Sequence, residues 1–138
     1  MKELLIHLRV MNLFAHSAHN LVARMPFHQD HDFFSSAYEA ADSDYDDVAE
    51  RIIGLYGEAS MNLNEIMQAV VAKLAPLPSI GVKENKLFYN VQLQLEQELC
   101  KLCVAAIASG ATEGSKQMLG DICNASEVRQ YKIKQRIK

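Results

Sequence analysis

The segment from His16 to Glu50 contains the side chains whose types and spacing best fit a metal site. His19 lies a few residues before the dipeptide Met25-Pro26, and His31 lies a few residues after it. Proline suits the first turn of a helix but not its interior, so Pro26 predicts a tight reversal followed by a new helix. In an antiparallel helix pair the two imidazoles would lie at about the same level. The spacing therefore predicts half of a metal site.

Two carboxylates further along the chain are candidates for the other half. Asp46 and Glu50 are four residues apart, which places both on one face of a helix. The fifteen residues from His31 to Asp46 span roughly 22 Å of continuous helix. If the helix is continuous, one chain cannot bring its own His31 and Asp46 to the same ion. An antiparallel neighbour related by a two-fold axis can place its Asp46 beside this His31. Imidazole and carboxylate ligands together suit non-haem iron.

This pattern resembles the signature of the Dps family, the mini-ferritins. That signature has a histidine late in the first helix, then F-x-x-x-H, an aromatic residue, a tyrosine and D-x-x-A-E-R. The corresponding residues here are His19, Phe27 with His31, Phe34, Tyr38, and Asp46 with Ala49-Glu50-Arg51. The match covers roughly the first sixty residues by motif and the last fifty by helix pattern alone.

The resemblance implies a ferroxidase site between subunits, with His19 and His31 from one chain and Asp46 and Glu50 from its two-fold partner. The substrates would be Fe(II) and either peroxide or oxygen, and the iron site would be mononuclear or di-iron, with no organic cofactor. It further implies a homo-oligomeric shell built on two-fold dimers, expected to be a dodecamer, that stores ferric mineral.

The sequence departs from the family pattern at two positions. Ser35 stands four residues after the second histidine, where the family usually has aspartate. Asn20 directly follows the first histidine, where tryptophan is common. The serine motivates an alternative in which the chain is a ferritin-like scaffold with a degenerate metal site.

Four long helices and one short helix are predicted to position these residues. Apolar spacing and the Pro and Gly positions place the long helices at Lys2–Arg24, Pro26–Leu55, Glu84–Ser109 and Thr112–Ile137. The short helix follows the N-cap Asn62 and ends at Pro76 and Pro78, with a loop from Pro78 to Lys83. The pattern predicts a single domain, residues 1–138, with an all-α, ferritin-like four-helix bundle and a short helix in the crossover between the second and third long helices.

The apolar stripes predict which faces turn inward. They include Leu13 and Leu21 in the first helix, Phe27 and Leu55 in the second, and Met118, Ile122, Ala125, Val128 and Tyr131 in the last. The ferritin-type site within one bundle needs Glu-x-x-His motifs, and this sequence has none. A di-iron site in this chain is therefore expected only at a subunit interface.

Composition restricts the class of protein. The 138 residues are 49% hydrophobic and 22% charged with a formal charge of −3, which is typical of a globular domain and argues against a generally basic nucleic-acid binder. The first residues contain no long apolar segment, so neither a signal peptide nor a membrane span is expected. Three cysteines without such a signal favour a reducing cytoplasm.

Two further features have competing interpretations. Cys100 and Cys103 form a CxxC within a helix, and they and Cys123 are expected to be buried apolar thiols. The tail 129–138 carries five positive charges. We expect these to complement the helix dipole, while the alternative is a tail that binds DNA, as in some Dps proteins.

Overall fold

The computed structural model describes residues 1–78 and 84–138, which form five α-helices, one 3₁₀ turn and no β-strand. The elements are α1 (Lys2–Leu21), α2 (Phe27–Tyr56), the 3₁₀ turn (Glu58–Ser60), α3 (Leu63–Leu74), α4 (Asn85–Ala108) and α5 (Glu113–Arg136). The all-α class is confirmed, and every predicted helix is present. The predicted loop from Pro78 to Lys83 lies, beyond Pro78, outside the described residues. None of the described helices is both long enough and apolar enough to span a bilayer.

Caps and glycines explain the helix ends. The Asn62 side chain accepts a hydrogen bond from the backbone N–H of Glu65, and Thr112 does the same for Ser115. Gly57 and Gly110 follow α2 and α4 with φ of 86° and 97°, a backbone conformation that favours glycine. α2 runs without a break through the acidic residues around Asp44.

α1 and α2 form an antiparallel pair. Contacts progress in opposite directions along the two helices: Arg9 pairs with Asp42, and the Asn12 amide donates to the Tyr38 carbonyl. Near the end of α1, His19 meets His31. Residues close to the start of α2 therefore lie at the same end of the molecule as the last turn of α1.

The crossover that contains α3 returns the chain to the end of the molecule where α1 ends and α2 begins. α3 packs on α1 through the buried side chains of Ile66 and Val70. At the start of α4, the Asn85 side chain hydrogen-bonds both the N–H and the carbonyl of Ala23 in the α1–α2 connection. α2 and α4 therefore run in one direction, and α1 and α5 run in the other.

The core is formed mainly by α1, α2 and α4, and several expected core positions are wrong. Leu13, Leu21, Phe27 and Leu55 are 37–41% exposed. In α5 the expected residues Ala125, Val128 and Tyr131 are exposed, while the inner face consists of Ser115, Leu119, Ile122, Ser126 and Ile133. The reason is that α5 turns polar side chains toward buried polar groups of α4, so an apolar stripe does not identify its inner face.

Candidate metal centre

His19 and His31 face each other where α1 ends and α2 begins. Their ring centroids are 3.7 Å apart, with 28° between the ring planes. Nδ1 of His19 lies 3.0 Å from the carbonyl oxygen of His31, and Nδ1 of His31 lies 2.9 Å from the carbonyl oxygen of His19. The two imidazoles therefore lie at the same level of the helix pair, as the sequence spacing predicts.

These reciprocal hydrogen bonds determine which nitrogen of each ring can bind a metal. A carbonyl oxygen can only accept, so Nδ1 of each histidine must carry the proton and donate. Nε2 of a neutral ring is then an unprotonated lone pair. A metal-binding histidine usually donates its other N–H to a carbonyl or carboxylate, which fixes both tautomer and ring orientation. The His19–His31 pair has this arrangement.

Aromatic side chains flank the histidine pair and restrict its movement. The Phe27 ring stacks beside His31 at a centroid distance of 5.1 Å, and Tyr38 contacts His19 edge-on at 5.4 Å. The His16 ring stacks on the Tyr38 ring at a centroid distance of 4.3 Å. His16 and His28 are exposed, as expected for surface histidines.

Asp30, one residue before His31, anchors the start of α2. Its carboxylate is fully buried and accepts two hydrogen bonds from Arg136, both at 3.0 Å. It also accepts from the Tyr89 hydroxyl at 2.6 Å and from the Asn85 amide at 2.8 Å. These contacts join α2 to α4, to α5 and, through Asn85, to the α1–α2 connection. The backbone that presents His31 is therefore held from three sides.

The hydrogen bonds to Asp30 also explain its ionisation. Burial alone would raise the pKa of this carboxyl, but the bonds from Arg136, Tyr89 and Asn85 outweigh burial and hold the pKa below its usual value. Burial and the hydrogen bond to Asp30 raise the pKa of the Tyr89 hydroxyl. Asp30 is thus an anion beside a neutral phenol and a cationic guanidinium.

Asp46 and Glu50 are exposed on α2 and are not brought to the histidines within one chain. Because α2 is continuous, Asp46 lies roughly 22 Å along the helix from His31. Among the described residues, no third His, Cys, Asp or Glu completes a cluster with His19 and His31. One chain therefore places the two imidazoles where α1 ends and α2 begins, and the two carboxylates in the second half of α2.

Glu50 lies at the edge of an acidic groove between α2 and α5. The groove also contains the carboxylates of Asp44, Asp47 and Asp121, beside the Arg51 guanidinium. Burial, with the nearby negative charge of Asp47, raises the pKa of Asp44 to about 6 against the opposing effect of Arg129. The groove thus concentrates negative potential near one of the predicted ligands.

Ser35 and the basic tail take positions that the sequence did not reveal. The Ser35 hydroxyl donates to Glu39 at 3.5 Å. In the tail, Arg129 pairs with the buried Glu96 and Arg136 pairs with the buried Asp30. Two of the five tail cations therefore serve the fold instead of a free basic surface.

The sequence did not predict the buried anchor Asp30 or the approach of Cys100 to Cys123. Asp30 lies in register with the inward residues of α2, and an acidic residue at an apolar stripe position signals a buried partner. Cys103 is buried as expected, but Cys100 and Cys123 are only partly buried. Their sulfur atoms approach each other between α4 and α5, together with a Glu127 oxygen. The expectation of buried apolar thiols is therefore wrong for these two cysteines.

Comparison of the chain with protein-family models, curated proteins and solved structures finds no match.

Proposed function

We propose that this protein is a mini-ferritin of the Dps type, which binds and oxidises Fe(II) between two-fold-related subunits and stores the ferric product inside an oligomeric shell. The observation that carries the proposal is the His19–His31 pair. Both Nδ1 atoms are committed to carbonyl oxygens, which leaves both Nε2 atoms for a metal. We also propose a cytoplasmic location, because all three cysteines are free thiols, as is usual in a reducing compartment.

The helix directions support this assignment. α2 and α4 run in the same direction, joined by a long crossover that contains α3. One long crossover distinguishes ferritin-like bundles from up-down-up-down bundles with short loops. The arrangement follows from hydrogen bonds within the chain, so it supports the assignment independently of the histidine motif.

The positions of the four proposed ligands lead to a specific dimer. If two copies of α2 pair antiparallel about a two-fold axis, His31 of one copy faces Asp46 and Glu50 of the other when the axis crosses α2 near Ala40. Each dimer then has two equivalent sites, each with two imidazoles and two carboxylates. Such mixed ligands suit Fe(II), which is the substrate and gives up one electron to oxygen or peroxide.

The first experiment is aerobic Fe(II) loading followed by size-exclusion chromatography, with iron measured across the protein peak. Iron that elutes with a particle of about twelve subunits is the expected result. His31→Ala and Glu50→Ala should each abolish rapid oxidation while the particle stays assembled. His28→Ala is the matched control, since His28 is an exposed histidine on the same helix. Wild-type rates in both ligand variants would refute the assignment.

Mixed particles test whether the site is shared between subunits. Co-refolding equal amounts of His31→Ala and Glu50→Ala chains makes about half of the dimers mixed, and one of the two sites in each mixed dimer is intact. Activity should therefore recover to about one quarter of the wild-type rate. A site built within one chain would give no recovery, because each chain would still carry its own defect.

Two alternatives predict different results. A particle of the expected size without iron would favour the degenerate scaffold that Ser35 motivates, and Ser35→Asp should then increase iron affinity. DNA binding is less favoured, because Arg129 and Arg136 are engaged with buried carboxylates. The DNA-binding alternative would be supported if the protein shifts DNA in a gel and loses that shift when Lys132, Lys134 and Lys138 are replaced by neutral residues.

A further inference from the structure

A second cluster of potential metal ligands lies between α4 and α5, on a different helix pair from the histidines. It consists of Cys100 on α4 with Cys123 and Glu127 on α5. One ligand atom from each side chain lies within 4.8 Å of the other two. Cys123 and Glu127 are four residues apart, so both project from the same face of α5.

We propose that Cys100, Cys123 and Glu127 form a binding site for a thiophilic divalent cation, with Zn(II) as the best match. Two thiolates and one carboxylate provide three protein ligands, and a water molecule can complete a tetrahedral set. Sulfur ligands select zinc over the harder cations magnesium and calcium. The site is independent of the proposed iron function, since it shares no residue with it.

The distance between the two α5 ligand atoms already fits a zinc site. Cys123 Sγ lies 3.8 Å from a carboxylate oxygen of Glu127. In a tetrahedral zinc site with Zn–S of about 2.3 Å and Zn–O of about 2.1 Å, neighbouring ligand atoms lie roughly 3.6–3.8 Å apart. The Cys123–Glu127 pair is therefore already at the required spacing, and the Cys100 sulfur lies within 4.8 Å of both of their ligand atoms.

Contacts around the cluster orient Cys100 in particular. The Gln130 side-chain amide lies 3.5 Å from the Cys100 sulfur and donates toward it. The same amide contacts the Glu96 carbonyl and the Ser126 hydroxyl, both at 3.4 Å. Such outer contacts fix the direction of a metal-binding side chain.

An ion can reach this cluster from solvent. Glu127 is exposed, and the two sulfur-bearing residues are partly exposed along a shallow groove between α4 and α5. Cys103 is fully buried and lies outside the cluster. It is a cysteine on the same helix as Cys100, which makes it a matched control.

The test uses reduced, metal-free, full-length protein carrying His19→Ala and His31→Ala, so that the histidine pair cannot bind the probe. Zn(II) affinity is measured by competition with a chromophoric chelator, and Co(II) is added separately as a spectroscopic probe. One Zn(II) per chain and a sulfur-to-Co(II) charge-transfer band are expected. Cys100→Ala and Cys123→Ala should remove the band and weaken Zn(II) binding by at least about tenfold, while Cys103→Ala keeps both.

Glu127→Gln should weaken binding less than either cysteine variant, because it keeps both sulfur ligands. Circular dichroism confirms that each variant is folded before titration. Three results would overturn the proposal: no charge-transfer band, equal losses in Cys103→Ala and Cys100→Ala, or unchanged Zn(II) affinity in both cluster variants. Because the histidines are absent, none of these results bears on iron oxidation.

Discussion

Asp30 and Glu96 are two buried carboxylates with matching partners and different roles. Each is fully buried, and each accepts two hydrogen bonds from an arginine on α5: Arg136 for Asp30 and Arg129 for Glu96. Each also accepts two further hydrogen bonds from uncharged side chains. For Glu96 these donors are Ser126 at 2.6 Å and Gln92 at 2.9 Å.

The two networks differ in the helices that they connect. Glu96 lies on α4 and its partners lie on α4 and α5, so its network joins two helices. Asp30 lies on α2 and its partners also lie on α4 and α5, so its network joins three helices at the residue before His31. The arginines also differ in exposure: the Arg129 side chain is 14% exposed and the Arg136 side chain is 32% exposed. We infer that the Glu96 pair contributes more to stability and that the Asp30 pair contributes more to the position of His31.

Glu96→Gln should have the largest effect on stability. The change removes the negative charge but not the volume, so Arg129 is left as a mostly buried cation that has lost its hydrogen-bonded anionic partner. Breaking a buried pair in this way costs about 3–5 kcal/mol of the free energy of unfolding. Chemical denaturation monitored by circular dichroism measures it. A loss smaller than that of Asp30→Asn would reverse the ranking of the two networks.

Asp30→Asn should cost less stability, about 2–3 kcal/mol, because Arg136 is near the end of α5 and can turn toward solvent. It should also weaken Fe(II) binding by about tenfold, since the residue before His31 loses its anchor to α5. Fe(II) titration of the assembled particle measures this. Glu96→Gln is the control, and an equal loss of iron affinity in both variants would mean that Asp30 has no specific positioning role.

The sequence predicted the helices well because local chemistry sets their ends. Pro26, Asn62, Thr112 and the glycines after α2 and α4 determine where helices start and stop through contacts a few residues away. The inner face of α5 could not be predicted in the same way. Ser126 is buried there only because it donates to Glu96, thirty residues away on another helix. An apolar stripe contains no information about such a pair.

The candidate iron site shows the same division between local and distant information. The positions of His19 and His31 on either side of Pro26 predicted that the two side chains lie close together. In an antiparallel helix pair, residues at similar distances before and after the turn face each other. The reciprocal bonds to the carbonyls could not be foreseen, since they depend on the separation and rotation of two helices. The approach of Cys123 to Cys100 likewise depends on how α5 packs on α4, and the CxxC spacing drew attention to Cys103 instead.

His7 offers a test with a smaller effect, because it is a buried polar group without an ionic partner. Its side chain is 3% exposed, and Nε2 donates to the Leu95 carbonyl at 2.8 Å, which joins α1 to α4 next to Glu96. Burial lowers the pKa of this imidazole despite the hydrogen bond to Leu95. The unfolded chain therefore binds a proton more readily than the folded protein, and stability is lost as the pH falls below about 6.5.

His7→Gln should reduce this loss, because glutamine can donate to the same carbonyl but does not titrate. The wild-type free energy of unfolding should fall more steeply than that of the variant below about pH 6.5, by at most about 1.4 kcal/mol per pH unit for one proton. Asp30 acts in a different range: its lowered pKa costs stability only as the pH falls below the ordinary carboxyl range. Asp44, whose pKa is raised to about 6, also titrates between these ranges, but it is present in both proteins. The difference between the wild-type and His7→Gln denaturation curves at several pH values therefore isolates His7. Parallel wild-type and His7→Gln profiles would show that His7 binds protons equally in the folded and unfolded states, so that burial does not lower its pKa.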